Sequence, residues 1–204
     1  LQKGLANLDK HVENVKKFGV PIVVAINQFP TDAPEELELV KSHCEELGVH
    51  YAVSQVVAKG GEGGIEFAET VLKVLDNEPA QFKPLYDWEQ PIKTKLEILA
   101  KEIYGADGVV YAPKAERSIR DLTKLGYGNL PVCVAKTQHS ISDNPNLKGA
   151  PRGWTLTISD VRPSLGAGFL VCLAGDIMTM PGLPKKPAAE NVDIDADGNI
   201  TGLF

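Results

Sequence analysis

The feature that most constrains the fold is a repeated order of apolar run, polar loop and amphipathic helix. Residues 21–26 (PIVVAI) form a short apolar run rich in β-branched side chains, which is typical of a strand covered on both faces. A polar turn at 27–32 follows, and the next apolar periodicity predicts a helix at 34–47. The order then repeats with a strand at 49–57, a glycine-rich loop and a helix at 65–75. This alternation predicts an α/β fold with a parallel sheet and crossover helices.

The loops that leave these two strands form the first candidate site. They span residues 27–32 and 58–64, and each begins where a predicted strand ends. Ligands of open parallel sheets bind outside the carboxyl ends of the strands. We therefore expect any ligand of this part of the chain to lie against these two loops.

The rest of the chain continues the alternation with shorter elements. An amphipathic helix at 5–18 precedes the first strand. Further elements are predicted as helices at 92–104 and 113–125 and as strands at 109–111, 132–135, 154–161 and 169–174. A hairpin is expected around Asp197-Gly198. We divide the chain into two small α/β subdomains at 1–105 and 106–204, with a boundary near residue 80 as the alternative.

Charge and composition exclude several classes of protein. The 204 residues carry a net charge of −6 and contain no block of Lys or Arg, which argues against a nucleic-acid partner. No apolar run approaches the roughly 18 residues of a membrane-spanning helix. The three cysteines, Cys44, Cys133 and Cys172, are too few and too scattered for a disulfide framework. We interpret them as buried thiols and expect a cytoplasmic protein.

The glycine-rich loop Gly60–Gly64 has two interpretations. Successive glycines let backbone N–H groups approach a phosphate, and the N-terminus of the following helix adds its dipole. The loop is not a Walker A motif, because no Lys-Ser/Thr follows it, and it is not a dinucleotide fingerprint. It is therefore either an anion cradle or a flexible turn between strand and helix.

No metal site is predicted. The run Asp193-x-Asp195-x-Asp197-Gly198 copies the first half of a calcium loop, but Phe204 stands where that loop requires Glu, so a tight turn is favoured. The four histidines form no His-x-x-x-His pair, and no cysteine stands at ligand spacing.

A long polar loop at 136–152 follows the predicted strand 132–135. It contains hydroxyls, amides, two lysines and an arginine, and it is stiffened by two prolines. Long loops that follow a buried strand are often functional, and these side chains suit a nucleotide. The alternative is a segment that merely covers the sheet.

Several stretches together resemble one family, formate–tetrahydrofolate ligase. They are VVAINQFPTD (23–32), AKGGEGG (58–64), IYGADGV (103–109), KTQHSISDNP (136–145), GAPRGW (149–154) and GAGFLVCLAGDIMTMPGLPKKPAA (166–189). The resemblance extends from near residue 4 to the final Gly-Leu-Phe. It implies an ATP-dependent ligase of one-carbon metabolism that joins formate to tetrahydrofolate, giving 10-formyltetrahydrofolate, ADP and phosphate.

The resemblance also implies what lies outside this sequence. Members of the family have a P-loop-NTPase-like fold whose Gly-Lys-Thr phosphate loop is N-terminal, and this sequence contains no such loop. Because the chain also starts with Leu1 inside a predicted helix, we expect a C-terminal portion that is inactive alone. ATP, its magnesium ion and tetrahydrofolate are the implied co-substrates, the missing domain is the implied partner, and a homo-oligomer is implied. The alternative is a catalytically silent folate-binding or interaction module of the same fold.

The resemblance assigns residues to each ligand. Phe29 and Pro30 correspond to the pterin-binding turn, and Val57 stands where members often carry an aromatic side chain on the opposite wall. Electrostatic contributions beside the reacting group are assigned to Lys59, Gly60 and Gly61. Nucleotide contacts are assigned to Asp143, Asn144, Gly149, Ala150 and Pro151, with Lys136 and Arg152 as further candidates for a phosphate or the folate glutamate.

Overall fold

The first repeated unit forms a two-stranded parallel sheet, as its sequence predicts. A computed structural model of the protein describes residues 1–177 and 185–202, so part of the matching stretch 166–189 lies outside the described residues. Helix α1 (Leu5–Lys16) leads to strand β1 (Val23–Asn27), helix α2 (Pro34–Glu46) and strand β2 (His50–Ser54). The strands pair in parallel from Val23–His50 to Asn27–Ser54, which brings their carboxyl ends together.

The chain turns earlier after β2 than the sequence predicts. The expected strand at 49–57 is wrong at its end, because the backbone N–H of Gln55 donates to the carbonyl of Gly63 at 2.8 Å instead of extending the sheet. Helix α3 (Val56–Lys59) and a 3₁₀ turn (Gly60–Gly64) follow, and helix α4 (Ile65–Asn77) then begins. Val57 therefore lies on a short helix and not on a strand.

The second sheet is mixed, so the predicted parallel pairing holds there for two of its three strand pairs. Its strands are β3 (Gly108–Tyr111), β4 (Val132–Ala135), β5 (Thr155–Ser164) and β6 (Phe169–Ala174), in the order β3-β5-β6-β4. Strand β5 is parallel to β3 but antiparallel to β6. The reason is that only residues 165–168 join β5 to β6, and a parallel crossover needs a dozen or more residues.

Two helices cover this sheet, and the main hydrophobic core lies between the helices and the sheet. Helix α5 (Ile92–Ile98) continues into a π-helical turn (Leu99–Tyr104), and helix α6 (Pro113–Lys124) follows β3. Their buried side chains, among them Leu96, Ile119 and Leu122, pack against Leu156 and Leu170 of the sheet. The side chain of Lys95 on α5 is buried as well, and burial lowers its pKa. Its ammonium donates to the carbonyls of Gly128 and Leu130.

Helix α1 is attached to the end of the π-helical turn. Lys10, Asn14 and Lys17 follow one another at spacings of four and three, so they share one face of the helix. They donate to the carbonyls of Glu102 and Ile103, which are left without helical partners where the turn ends. This contact joins the unit of β1 and β2 to the helical layer of the second sheet.

The predicted hairpin around Asp197-Gly198 is confirmed. Short strands β7 (Asp193–Ile194) and β8 (Ile200–Thr201) pair antiparallel. One carboxylate oxygen of Asp195 accepts the backbone N–H groups of Asp197 and Asn199, both at 2.9 Å. Asp195 therefore closes the turn, as the turn interpretation requires.

Asp160 links β5 to α6, and its ionised carboxylate contributes a pH-dependent part of the stability, which its replacement by Asn should remove. Its carboxylate accepts hydrogen bonds from Ser118 and Arg162 and pairs with Lys114, each at 3.0 Å. Burial alone would raise the pKa of Asp160, but these three partners lower it to about 2. Asp160→Asn should lower the free energy of unfolding at pH 7 by about 1–2 kcal/mol, measured by urea unfolding.

The pH dependence of this loss of stability follows from the lowered pKa of Asp160. In the unfolded chain an aspartate takes up its proton near pH 3.9, whereas the folded carboxylate stays ionised to about pH 2. The stabilisation is therefore complete above about pH 4 and disappears as the pH falls towards 2, and the difference between Asp160→Asn and the unmodified chain should disappear with it. Asp121→Asn, an exposed carboxylate on the same helix α6, is the control. An equal loss at pH 7 and at low pH would contradict the assignment.

Candidate functional site

The carboxyl ends of β1 and β2 border a small cavity of about 110 Å³. Phe29 and Pro30 line it from the loop after β1, and Ala58 and Lys59 line it from α3. The predicted folate-side residues Phe29 and Pro30 thus meet the predicted electrostatic residue Lys59. The edge of the parallel sheet brings them together, as the position of the loops predicts.

The turn that carries Phe29 is held by its own backbone and by one carboxylate. The backbone N–H of Phe29 donates to the carboxylate of Asp32 at 2.7 Å, and the backbone N–H of Asp32 donates to the carbonyl of Phe29 at 3.0 Å. The Phe29 side chain is 48% exposed. The turn therefore presents a fixed and accessible aromatic ring, which is a suitable surface for stacking on a planar ligand.

A chain of two amides positions the ammonium of Lys59. The side-chain N–H of Gln55 donates to the side-chain oxygen of Gln28 at 2.7 Å, and Lys59 donates to the side-chain oxygen of Gln55 at 2.6 Å. The bond to Gln28 fixes which end of the Gln55 amide faces Lys59. Both glutamines line the cavity together with Phe29 and Lys59, so the Lys59 side chain is held by residues that follow the two strand ends.

Sequence reasoning missed the two glutamines. Gln28 lies inside the turn at 27–32, and Gln55 directly follows the last residue of β2. Their position directly after parallel strands was therefore the sequence signal that could have indicated them as site residues. Their pairing could not be read from the sequence, because it depends on the register that aligns Asn27 with Ser54.

The glycine-rich turn is packed closely against the end of β2. Gly60 has φ +59° and ψ −143°, a backbone conformation that residues other than glycine rarely adopt. A Cβ on Gly63 would lie 2.4 Å from the carbonyl oxygen of Gln55. Glu62 and Glu66 line the neighbouring cavity of about 320 Å³ together with Lys41 and Lys59. Close packing against Gln55 therefore explains why position 63 is a glycine. Binding of an anion by the glycine-rich loop stays a prediction.

Val57 does not line the cavity that contains Phe29. It lies on α3 next to Ala58, and its side chain is 58% exposed. The single aromatic surface at this cavity is therefore that of Phe29 among the described lining residues.

Polar side chains of the loop at 136–152 form hydrogen bonds within the loop and to the start of β5. The carboxylate of Asp143 accepts the backbone N–H of Thr157 at 2.7 Å, and the side-chain oxygen of Asn144 accepts the backbone N–H of Asn146 at 3.0 Å. The buried hydroxyls of Ser140 and Ser142 bond to each other at 2.8 Å. These contacts fold the loop over the carboxyl end of β4.

The second half of the loop lies against α1 and the start of β5. Gly149 has φ +73°, and a Cβ there would lie 3.9 Å from the Cβ of Ala6. The carbonyl of Pro151 accepts the indole N–H of Trp154 at 3.2 Å. Ala150 is half-buried between them, and Arg152 is exposed. None of these residues lines the cavity of Phe29, so the structure does not bring the predicted folate and nucleotide residues into one cavity.

Within 1–177 and 185–202, no group of three His, Cys, Asp or Glu side chains is placed to hold a metal ion. Over the same ranges, no helix combines the length and apolar character needed to cross a membrane.

The parallel sheet with crossover helices and the mixed second sheet define an α/β protein, and open sheets of this class generally bind ligands outside the carboxyl ends of their strands. The family model for formate–tetrahydrofolate ligase matches residues 1–204, so the chain belongs to the formate–tetrahydrofolate ligase family. The family is one of ATP-binding ligases of one-carbon metabolism that act on formate and tetrahydrofolate. The resemblance seen in the sequence is confirmed at this level.

Proposed function

We propose that this chain contributes the folate-binding and adenosine-binding part of an ATP-dependent ligase that joins formate to tetrahydrofolate. The products are 10-formyltetrahydrofolate, ADP and phosphate. The observation that carries the proposal is the cavity that Phe29, Pro30 and Lys59 line together at the carboxyl ends of β1 and β2.

On the folate side, the Phe29 ring stacks on the pterin. Pro30 lines the same cavity, and Val57, on α3 next to the lining residue Ala58, is the proposed position of the opposite wall. The ammonium of Lys59, held by Gln55, stands where it can stabilise oxygen atoms that gain negative charge in formyl transfer. The backbone N–H groups of Gly60 and Gly61 are the proposed additional donors.

On the nucleotide side, the segment from Asp143 to Pro151 contacts the adenosine. The side chains of Asp143 and Asn144 already accept backbone N–H groups of the protein. Their contribution is therefore to shape the loop, and the direct contacts come from the backbone and from Gly149, Ala150 and Pro151. Contact with the phosphates is assigned to a P-loop-NTPase-like part of the enzyme, since no Gly-Lys-Ser/Thr loop occurs in the 204 residues.

The remaining features of the proposed enzyme follow from the family. Magnesium enters with the triphosphate, because hard oxygen ligands of the nucleotide suit it. The complete enzyme is a homo-oligomer in the cytoplasm. The two α/β subdomains, 1–105 and 106–204, provide the folate side and the nucleotide side.

An assay of the chain alone tests the proposal that it binds folate and adenosine while another part of the enzyme binds the phosphates. With formate, ATP, magnesium and tetrahydrofolate, we expect no 10-formyltetrahydrofolate, because the phosphate loop is not in the sequence. Calorimetric titration with tetrahydrofolate in the same buffer should nevertheless give saturable binding. Product formation would refute the division, and absence of folate binding would refute the proposed folate side.

One observation favours a second candidate, a catalytically silent module of the same fold. Val57 is exposed and not aromatic, so the pterin would be stacked on one face only. Such a module would bind no tetrahydrofolate, or would bind it with the same affinity whether or not Phe29 is present. The Phe29 variant described in the Discussion distinguishes the two candidates.

A further inference from the structure

The side chain of Gln28 carries a hydrogen-bond donor that the protein itself does not use. Its side-chain oxygen accepts the amide N–H of Gln55 at 2.7 Å. Its own N–H₂ group donates to no acceptor in the part of the chain that the structure describes. Gln28 is half-buried, and this group is not one of the fully buried polar atoms that lack a partner. The N–H₂ group of Gln28 is therefore accessible to a ligand.

The ammonium of Lys59 determines which end of each amide is free. An ammonium can only donate, so the Gln55 atom that lies 2.6 Å from it is the side-chain oxygen. The N–H₂ group of Gln55 then faces Gln28, and the Gln28 atom that it meets must be an acceptor. A reversed Gln28 amide would place two donors against each other. The N–H₂ group of Gln28 is therefore held on the side away from Gln55.

Gln28 lies where two cavities adjoin. It lines the cavity of about 110 Å³ that contains Phe29 and the neighbouring cavity of about 320 Å³, and Gln55 and Lys59 line both as well. The smaller volume is well below the roughly 300–1,000 Å³ of typical small-molecule sites. A ligand that stacks on Phe29 must therefore extend past Gln28 into the larger cavity.

The free groups of these side chains match the edge of a pterin ring. The side-chain oxygens of both glutamines already accept hydrogen bonds, whereas the N–H₂ group of Gln28 is still free to donate. A pterin has one oxygen on its ring system, the 4-oxo group, and this oxygen only accepts. Gln28 directly precedes Phe29 in the chain and lines the same cavity, so its donor lies beside the aromatic surface.

We propose that the N–H₂ group of Gln28 donates to the 4-oxo group of the pterin, and that this contact selects 4-oxo pterins over their 4-amino analogues. A 4-amino analogue would place one N–H₂ group against another, and the ring would lose the hydrogen bond that the site is built to make. No covalent step is involved. The inference rests on the proposed function, because it requires the pterin to stack on Phe29.

Folate and aminopterin test this selection. They differ in the group at position 4, which is oxygen in folate and an amino group in aminopterin, and in the N3 proton that accompanies the oxo form. Both ring systems are neutral at pH 7, so the comparison adds no charge. We expect the unmodified chain to bind folate at least about 10-fold more tightly than aminopterin, measured by calorimetric titration at pH 7.

Gln28→Glu should reverse this preference. Its carboxylate still accepts the N–H of Gln55, so the support of Lys59 is kept, but an acceptor replaces the free donor. The affinity for folate should fall and that for aminopterin should rise. We expect the ratio of the two dissociation constants to change by at least about 100-fold relative to the unmodified chain.

Two further variants complete the comparison. Gln28→Met removes the donor and the acceptor together, so it should weaken folate binding and reduce the selection without favouring aminopterin. Gln81→Glu adds the same charge before the other end of β1, where the backbone of Gln81 pairs with that of Gly19, and should leave the ratio unchanged. Thermal unfolding of each variant shows whether it is folded under the conditions of the titration.

The ratio of affinities separates a ligand contact from a structural role. If Gln28 only supported Lys59, its replacement would change both affinities by the same factor, so an unchanged ratio in Gln28→Glu would overturn the inference. Equal binding of folate and aminopterin by the unmodified chain would also overturn it, and the proposed function would stand. Absence of saturable binding of both folate and tetrahydrofolate would instead refute the proposed folate side, and this contact with it.

Discussion

Replacement of Phe29 by alanine is expected to weaken tetrahydrofolate binding about 5- to 150-fold and to leave the melting temperature unchanged. The ring is 48% exposed at the edge of the cavity, so its loss removes little packing from the protein. Stacking of an aromatic side chain on a heterocyclic base contributes about 1–3 kcal/mol, which corresponds to this range of affinity. Calorimetric titration of the unmodified chain and of Phe29→Ala with tetrahydrofolate measures the effect.

Two further variants test whether the effect belongs to this cavity. Phe82→Ala removes another exposed aromatic ring, one that stacks on Phe18 outside the cavity, and should not change folate affinity. Val57→Trp adds an aromatic surface on α3 and should raise the affinity several-fold if the pterin lies between positions 29 and 57. Equal affinity of Phe29→Ala and the unmodified chain would favour the silent module over the ligase.

The elements with a clear local pattern could be predicted from the sequence. The apolar run before Asn27 and the periodicity of α2 and α4 reflect burial on strand and helix faces, and these elements lie within a few residues of their predicted positions. The end of β2 could not be predicted, because the apolar residues Val56 and Val57 continue the pattern of the strand. The turn is made by the backbone bond between Gln55 and Gly63, which no local pattern encodes.

In the second sheet and in the candidate sites as well, contacts between residues far apart in the sequence could not be predicted from local patterns. The antiparallel pairing of β5 and β6 follows from a four-residue connection, and this geometric cue outweighs the expectation of continued parallel alternation. Phe29 and Lys59 could be placed at one edge, because both follow parallel strands. The docking of α1 against Ile103 could not be predicted, because it is a contact between residues about ninety positions apart.

Replacement of Gly63 by alanine is expected to destabilise the protein by about 2–4 kcal/mol and to weaken folate binding as well. The new Cβ would lie 2.4 Å from the carbonyl oxygen of Gln55, 2.5 Å from its carbonyl carbon and 2.9 Å from the backbone nitrogen of Val56. All three atoms belong to the backbone, so no side-chain rotation relieves the clash. The glycine-rich turn must then move away from β2, which breaks the bond between Gln55 and Gly63 and displaces the support of Lys59.

Gly61→Ala is the matched control for this substitution. It adds the same methyl group to the same turn, but no atom lies within 4 Å of the new Cβ, and Gly61 does not have a positive φ. Its free energy of unfolding should change by no more than about 0.5 kcal/mol. Gly63→Ala should instead lower the melting temperature by roughly 4–16 °C, measured by circular dichroism. If both variants melt at the same temperature, the turn does not depend on contact with β2, and Gln55 positions Lys59 without help from Gly63.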